Sequence, residues 1–130
     1  GTLFLRTYDD NPAANTVGDT GDLSIGVVSI DQVVAELGLQ RLDYLKMDVE
    51  GAETRALRGA RETIRRFRPL LAIGTEHTGD VTRNVMEVIA AVESIDSSYK
   101  MQCRECRLYA SPSFGSVATP HVVRFLPGKN

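Results

Sequence analysis

Leu42-Asp43-Tyr44-Leu45-Lys46-Met47-Asp48-Val49-Glu50-Gly51-Ala52 is the stretch on which the fold turns. Its first half is short, apolar in the main and bounded by punctuating residues, which predicts a strand through about Met47. Polar residues crowd the C-terminal end of that strand. From Ala52 the periodicity changes. Ala52, Ala56, Leu57, Ala60, Ile64 and Phe67 recur at three- and four-residue steps, which predicts one helix whose other face carries Arg55, Arg58, Arg61, Glu62, Arg65 and Arg66. Glu62 and Arg66 are spaced as a favourable i,i+4 pair, and Pro69 ends the helix.

Downstream, Leu70-Leu71-Ala72-Ile73 is apolar without alternation, the pattern of a strand buried on both faces, as parallel sheets supply. Gly74, Thr75, Glu76 and His77 close it. An amphipathic helix follows from about Asp80 to Ser94, with Val81, Val85, Val88, Ile89 and Val92 inward. Residues 99–109 and 121–126 read as two final strands, with a loop carrying Ser111, Pro112, Ser113, Gly115 and Ser116 between them. Upstream, residues 2–8 read as a strand, 9–22 as a loop and 23–28 as a short strand. Ser29 is placed to cap a helix, with Gln32 at the capping-box position and Asp31 in the first turn. Val33, Val34 and Leu37 form its expected buried stripe, and Gly38 its stop.

This order of strands and helices predicts a mostly parallel α/β sheet with helices on both faces and a C-terminal antiparallel hairpin. Ligands of such sheets bind outside the carboxyl ends of the strands. Two clusters lie there: Lys46, Asp48 and Glu50, which share parity and project to one side while the strand persists, and Glu76 with His77. A polar group at the end of an apolar strand is costly unless paired or used. Two carboxylates there suit a divalent cation, a general base, or the binding of hydroxyl and amine groups. The structural alternative gives Glu50 and Glu53 to the helix dipole and Lys46 to an ion pair with Asp48. His121 has no supporting neighbours and reads as structural.

The 130 residues suit one domain. A net charge of −2 gives no bias toward nucleic acid or anionic lipid, and no apolar run reaches the length of a membrane helix. The arginine-rich helix face lacks interleaved aromatic residues and reads as a solvated surface. Cys103 and Cys106 are too few for a disulfide scaffold or a four-ligand zinc site, and they fall in a predicted strand, where positions i and i+3 face opposite ways. Two ordinary thiols and a cytoplasmic location are the expectation. The start at Gly1-Thr2-Leu3, running straight into a strand, suggests a piece of a longer chain.

Val28-Ser29-Ile30-Asp31, the run Asp43 to Glu53 with its Lys-x-Asp-x-Glu-Gly-Ala-Glu string, Leu57-Arg58-Gly59-Ala60 and Arg68-Pro69-Leu70-Leu71-Ala72-Ile73 together resemble FkbM-type methyltransferases. The resemblance is specific over residues 2–77 and holds by pattern beyond. It implies part of a Rossmann-like domain and methyl transfer from S-adenosylmethionine, commonly to a hydroxyl of a sugar or natural product. It places Lys46 to Glu50 at the cofactor and acceptor cleft, with Lys46 and Asp48 toward the cofactor and Asp48, Glu50 and His77 as catalytic candidates. The family often has an acidic residue directly after the strand that precedes His77, whereas here Gly74 and Thr75 come before Glu76.

The family's acidic-Gly-x-Gly cofactor loop precedes the matched region. Gly18-Asp19-Thr20-Gly21-Asp22 is not a substitute, since no apolar strand leads into it. The chain is therefore expected to be the C-terminal portion of the domain, without the N-terminal cofactor-binding strands and inactive alone. The strand at 43–47 then becomes a sheet edge, which predicts a homodimer or other pairing through it. Two further readings follow from the same residues: a non-catalytic assembly domain using that edge, and a small metal-dependent hydrolase using Asp48, Glu50 and His77.

Overall fold

The computed structural model describes residues 1–7, 15–76, 80–103, 106–111 and 115–128, with the backbone alone for Thr16, 106–111 and 115–120. Three sheets and four helices make up the described chain. A small antiparallel sheet has the order β2-β1-β3, from β1 (Thr2–Arg6), β2 (Thr16–Gly18) and β3 (Leu23–Gly26). The main sheet has the order β4-β5-β9-β6, from β4 (Tyr44–Met47), β5 (Leu70–Gly74), β6 (Lys100–Gln102) and β9 (Val122–Leu126). β7 (Cys106–Ser111) and β8 (Gly115–Pro120) form an antiparallel hairpin of their own.

The main sheet corrects the expectation of a mostly parallel architecture. Only β4 and β5 run parallel, with Leu45 beside Leu71 and Met47 beside Ile73. β9 joins β5 antiparallel, and β6 joins β9 antiparallel. An unbroken apolar run records burial on both faces; it says nothing of the direction of the neighbouring strand, and β5 has one neighbour of each kind. The two terminal strands do pair antiparallel, but the expected strand over 99–109 is divided between β6 and the first part of β7, and β8 occupies the segment expected as a loop.

Helices cover one face of the sheet, not two, among the described residues. Leu57 and Ile64 of α2 (Glu53–Arg58) and α3 (Arg61–Phe67) join Val85, Val88 and Val92 of α4 (Val81–Ile95). They enclose Met47, Leu71, Ile73, Val123 and Phe125, side chains that the register places on a common face. The opposite face presents Tyr44, Lys46, Val122 and Arg124 to solvent. Asp80 caps α4 by accepting from the Arg83 N–H at 3.1 Å. Beyond α4, the Tyr99 hydroxyl donates to the Pro69 carbonyl at 2.7 Å, and burial pushes its pKa up to about 12. Hydrogen bonds from Ser98, with Arg68 nearby, hold Asp96 below the usual carboxylate range.

The expected helix over 52–67 is two helices. The break falls at Gly59 and Ala60, where α1 (Ile30–Glu36) comes in: the Asp31 N–H donates to the Gly59 carbonyl at 2.8 Å. A Cβ on Gly59 would stand 3.1 Å from the Ser29 Cβ, so a glycine permits this approach. Asp31 then does for α3 what Ala60, its N-cap residue, cannot. Its two carboxylate oxygens accept from the N–H groups of Thr63 at 2.8 Å and Glu62 at 3.2 Å. Asp31→Ala is expected to lower the unfolding free energy by about 1–2 kcal/mol, the usual cost of a lost cap, measured by urea denaturation.

Smaller expectations are also revised. Ser29 does cap α1, accepting from the Gln32 N–H at 3.1 Å, but the Gln32 side chain turns to Glu36 and does not close a capping box. Val34 alone of the expected stripe is buried; Val33 and Leu37 are exposed. Glu62 meets Arg65, not Arg66. Cys103 is disulfide-bonded and no described cysteine is free, which overturns the expectation of two thiols. The strand-parity argument fails because Cys103 follows β6 while Cys106 opens β7, a strand of a different sheet. No helix among the described residues is long and apolar enough to cross a membrane.

Candidate functional site

β4 is the edge strand of the main sheet among the described residues, and it delivers its polar tip beside the carboxyl end of its parallel neighbour, β5. Met47 is buried against the helices, so alternation sends Lys46 and Asp48 to the open face. Lys46 Nζ donates to Asp48 Oδ2 at 2.9 Å, and both side chains are about half exposed. The ion pair of the structural reading is therefore present, at a solvent-facing position where such pairs contribute little to stability.

After Asp48 the chain turns sharply. Glu50 has φ of 52° and Gly51 φ of 91°, two successive residues in the left-handed region. Glycine accepts that region freely, whereas at Glu50 it is strained. The Ala52 N–H closes the turn onto the Val49 carbonyl at 3.1 Å, and α2 begins at Glu53. Glu53 is fully buried. Its Oε1 accepts from the N–H groups of Val49 at 3.2 Å and Gly51 at 3.3 Å.

On its other side the turn walls an open cavity of about 430 Å³. Leu3 and Val17 of the small sheet, Val28 and Ile30 at the start of α1, and Val49 and Ala56 line it, with Ala52 beneath the turn. At its rim Arg55 forms a paired contact with Asp19, Nη1 to Oδ1 at 3.1 Å and Nη2 to Oδ2 at 2.8 Å, fixing the turn after β2 to α2. The volume and apolar lining are those of small-molecule sites.

The second cluster lies one strand further on. Thr75 is buried, its N–H and Oγ1 both directed to the His121 carbonyl at 2.9 and 3.2 Å, while its own carbonyl accepts from Asn84 Nδ2 at 3.1 Å. The Glu76 carboxylate contacts His121 Nδ1. His77 lies outside the described residues. Among those described, no three His, Cys, Asp or Glu side chains group as a metal would require; the hydrolase reading also calls on His77, which lies outside them.

Two residues with site-like placement escaped the sequence. His121 reaches the carboxyl end of β5 because β9 is antiparallel and starts there; no local signal marks that. Glu53 was assigned only to the helix dipole. Its position four residues before the core residue Leu57, on the buried face of α2, was the available signal.

Residues 5–126 match the family described as the methyltransferase FkbM domain. A crystal structure of methyltransferase FkbM from Methylobacillus flagellatus KT is similar over 78% of this chain and 23% of that one, with 25% identity and a TM-score of 0.55. The chain thus spans under a quarter of that protein's length. No curated protein matches it. The fold, with parallel β4–β5 and an acidic turn at their carboxyl end, is that of a methyltransferase-type α/β domain. The chain belongs to the FkbM methyltransferase family.

Proposed function

We propose that the chain contributes the acidic side of a methyl-transfer cleft, acting on a hydroxyl of a small-molecule acceptor with an apolar skeleton. The observation that carries this reading is one shared wall. Val49 and Ala52, on either side of Glu50 and Gly51, also line the apolar cavity. An acceptor seated there would hold its hydrophobic part against Leu3 and Ile30 and extend a hydroxyl toward the turn. A natural product suits that lining better than a bare sugar.

The carboxylates at the tip suit S-adenosylmethionine in part. Asp48 and Glu50 have the chemistry to accept hydrogen bonds from its ribose hydroxyls and ammonium group, and Lys46 fixes Asp48 beside them. When bound, that cofactor supplies a methyl group on a positively charged sulfur. Among the described residues no Gly-x-Gly turn follows a strand to hold the rest. We therefore read the chain as the C-terminal portion of the domain, inactive alone, with β4 open at the sheet edge to pairing with a further strand or a second copy.

In this reading Asp48 accepts the acceptor's hydroxyl hydrogen and aligns its oxygen. S-adenosylmethionine would supply the methyl group, and the Asp48 carboxylate would take the proton that the hydroxyl gives up. Incubating the complete gene product with methyl-labelled S-adenosylmethionine and apolar hydroxylated acceptors tests it. Label should appear on acceptor oxygen, and Ala56→Phe, which fills the cavity, should raise KM about tenfold or more. Transfer indifferent to that substitution would remove the cavity from the site.

A further inference from the structure

We propose that Glu53 is the positioning residue of this site, a buried carboxylate that clamps the left-handed turn carrying Asp48 and Glu50. The inference rests on the methyl-transfer reading and adds a residue to it. Its basis is where the side chain spends its hydrogen bonds. A helix-capping acid would bond the first N–H groups of its own helix. Glu53 instead accepts from Val49 and Gly51, both before α2, while the N-cap residue Ala52 makes no side-chain cap bond.

The Gly51 N–H belongs to the peptide unit that follows the strained Glu50, and the Val49 N–H to the unit that follows Asp48, so the carboxylate holds the turn at both points. Without such bonds Glu50 would relax toward ordinary backbone geometry and carry the tip with it. The location is an expensive one for an acid. Glu53 is fully buried beside the apolar core, and Oε2 has no hydrogen-bond partner among the described residues. Stability alone would favour an apolar side chain here. A buried acid that leaves one oxygen unsatisfied and commits the other to the turn fits a role in holding the site.

Three substitutions in the complete gene product separate clamp from core filler. Glu53→Leu keeps the bulk and removes both bonds. Glu53→Asp keeps the charge but falls one carbon short of the turn. Glu53→Gln keeps an acceptor oxygen at full reach. Hydrogen exchange of the Val49 and Gly51 amides should speed up about tenfold or more in the Leu and Asp forms, with β5 and α4 amides unchanged. The Gln form should stay near wild type. Methyl-transfer kcat should fall about 10²-fold in the Leu and Asp forms at similar KM, with rescue by Gln.

Wild-type exchange at Val49 and Gly51 in the Asp form would overturn the clamp. Faster exchange with unchanged kcat would overturn the positioning role. A wild-type protein that transfers no methyl group at all contradicts the methyl-transfer reading instead, and the exchange measurement still decides the clamp.

Discussion

Phe125→Ala is expected to destabilise the domain by about 3–5 kcal/mol, a large share of the 5–15 kcal/mol that typically holds a domain together. Phe125 lies in β9, the strand between β5 and β6, with Leu71 beside it on one side and Met101 on the other. It is 1% exposed and packs in the cluster that joins the helices to the sheet. Truncation removes its apolar burial and leaves a cavity that Leu57, Ile64 and Val88 cannot all move to fill. Met101→Ala, one strand away at the sheet edge and 47% exposed, should cost well under half as much. Urea denaturation of both variants checks the contrast. Equal costs would mean that the core is not centred on β9.

Asp48→Asn should behave in the opposite way, sparing the fold and disabling the chemistry. The Lys46–Asp48 pair is half exposed, and pairs of that kind are worth about 0–1 kcal/mol. Stability should therefore change little. Turnover should fall about 10²–10⁴-fold, the usual contribution of a positioned general base, because asparagine keeps the shape and one acceptor oxygen but cannot take a proton. Lys46→Met should reduce turnover less, since it loosens Asp48 without removing it. A stability loss above about 2 kcal/mol with turnover intact would return both residues to the structural reading.

Much of the backbone around the candidate site could be read from the sequence, and the reasons are local. β4, β5 and α4 announce themselves through apolar runs and period, and the crowding of Lys46, Asp48 and Glu50 after an apolar stretch marks a strand end. Burial on both sides of β5 was also legible. What failed was non-local. Nothing near Leu70 or Val122 says that β9 inserts between β5 and β6, and with it went the direction of the sheet and the placing of His121 beside Glu76. The break between α2 and α3 depends on α1 docking at Gly59, a contact across 30 residues that a continuous apolar period conceals. The bonds of Glu53 to Val49 and Gly51 were not legible, because a glutamate in the first turn of a helix looks the same whether its carboxylate meets its own helix or the turn before it. Only its burial and partners tell the two apart.

In the proposed function, the acidic turn after β4 is part of the cleft that binds the methyl donor. Amide exchange on the complete gene product, with and without S-adenosylhomocysteine, measures this most directly. Residues 46–53 are expected to exchange more slowly when the ligand is present. Protection elsewhere in the protein with no change across that segment would contradict it.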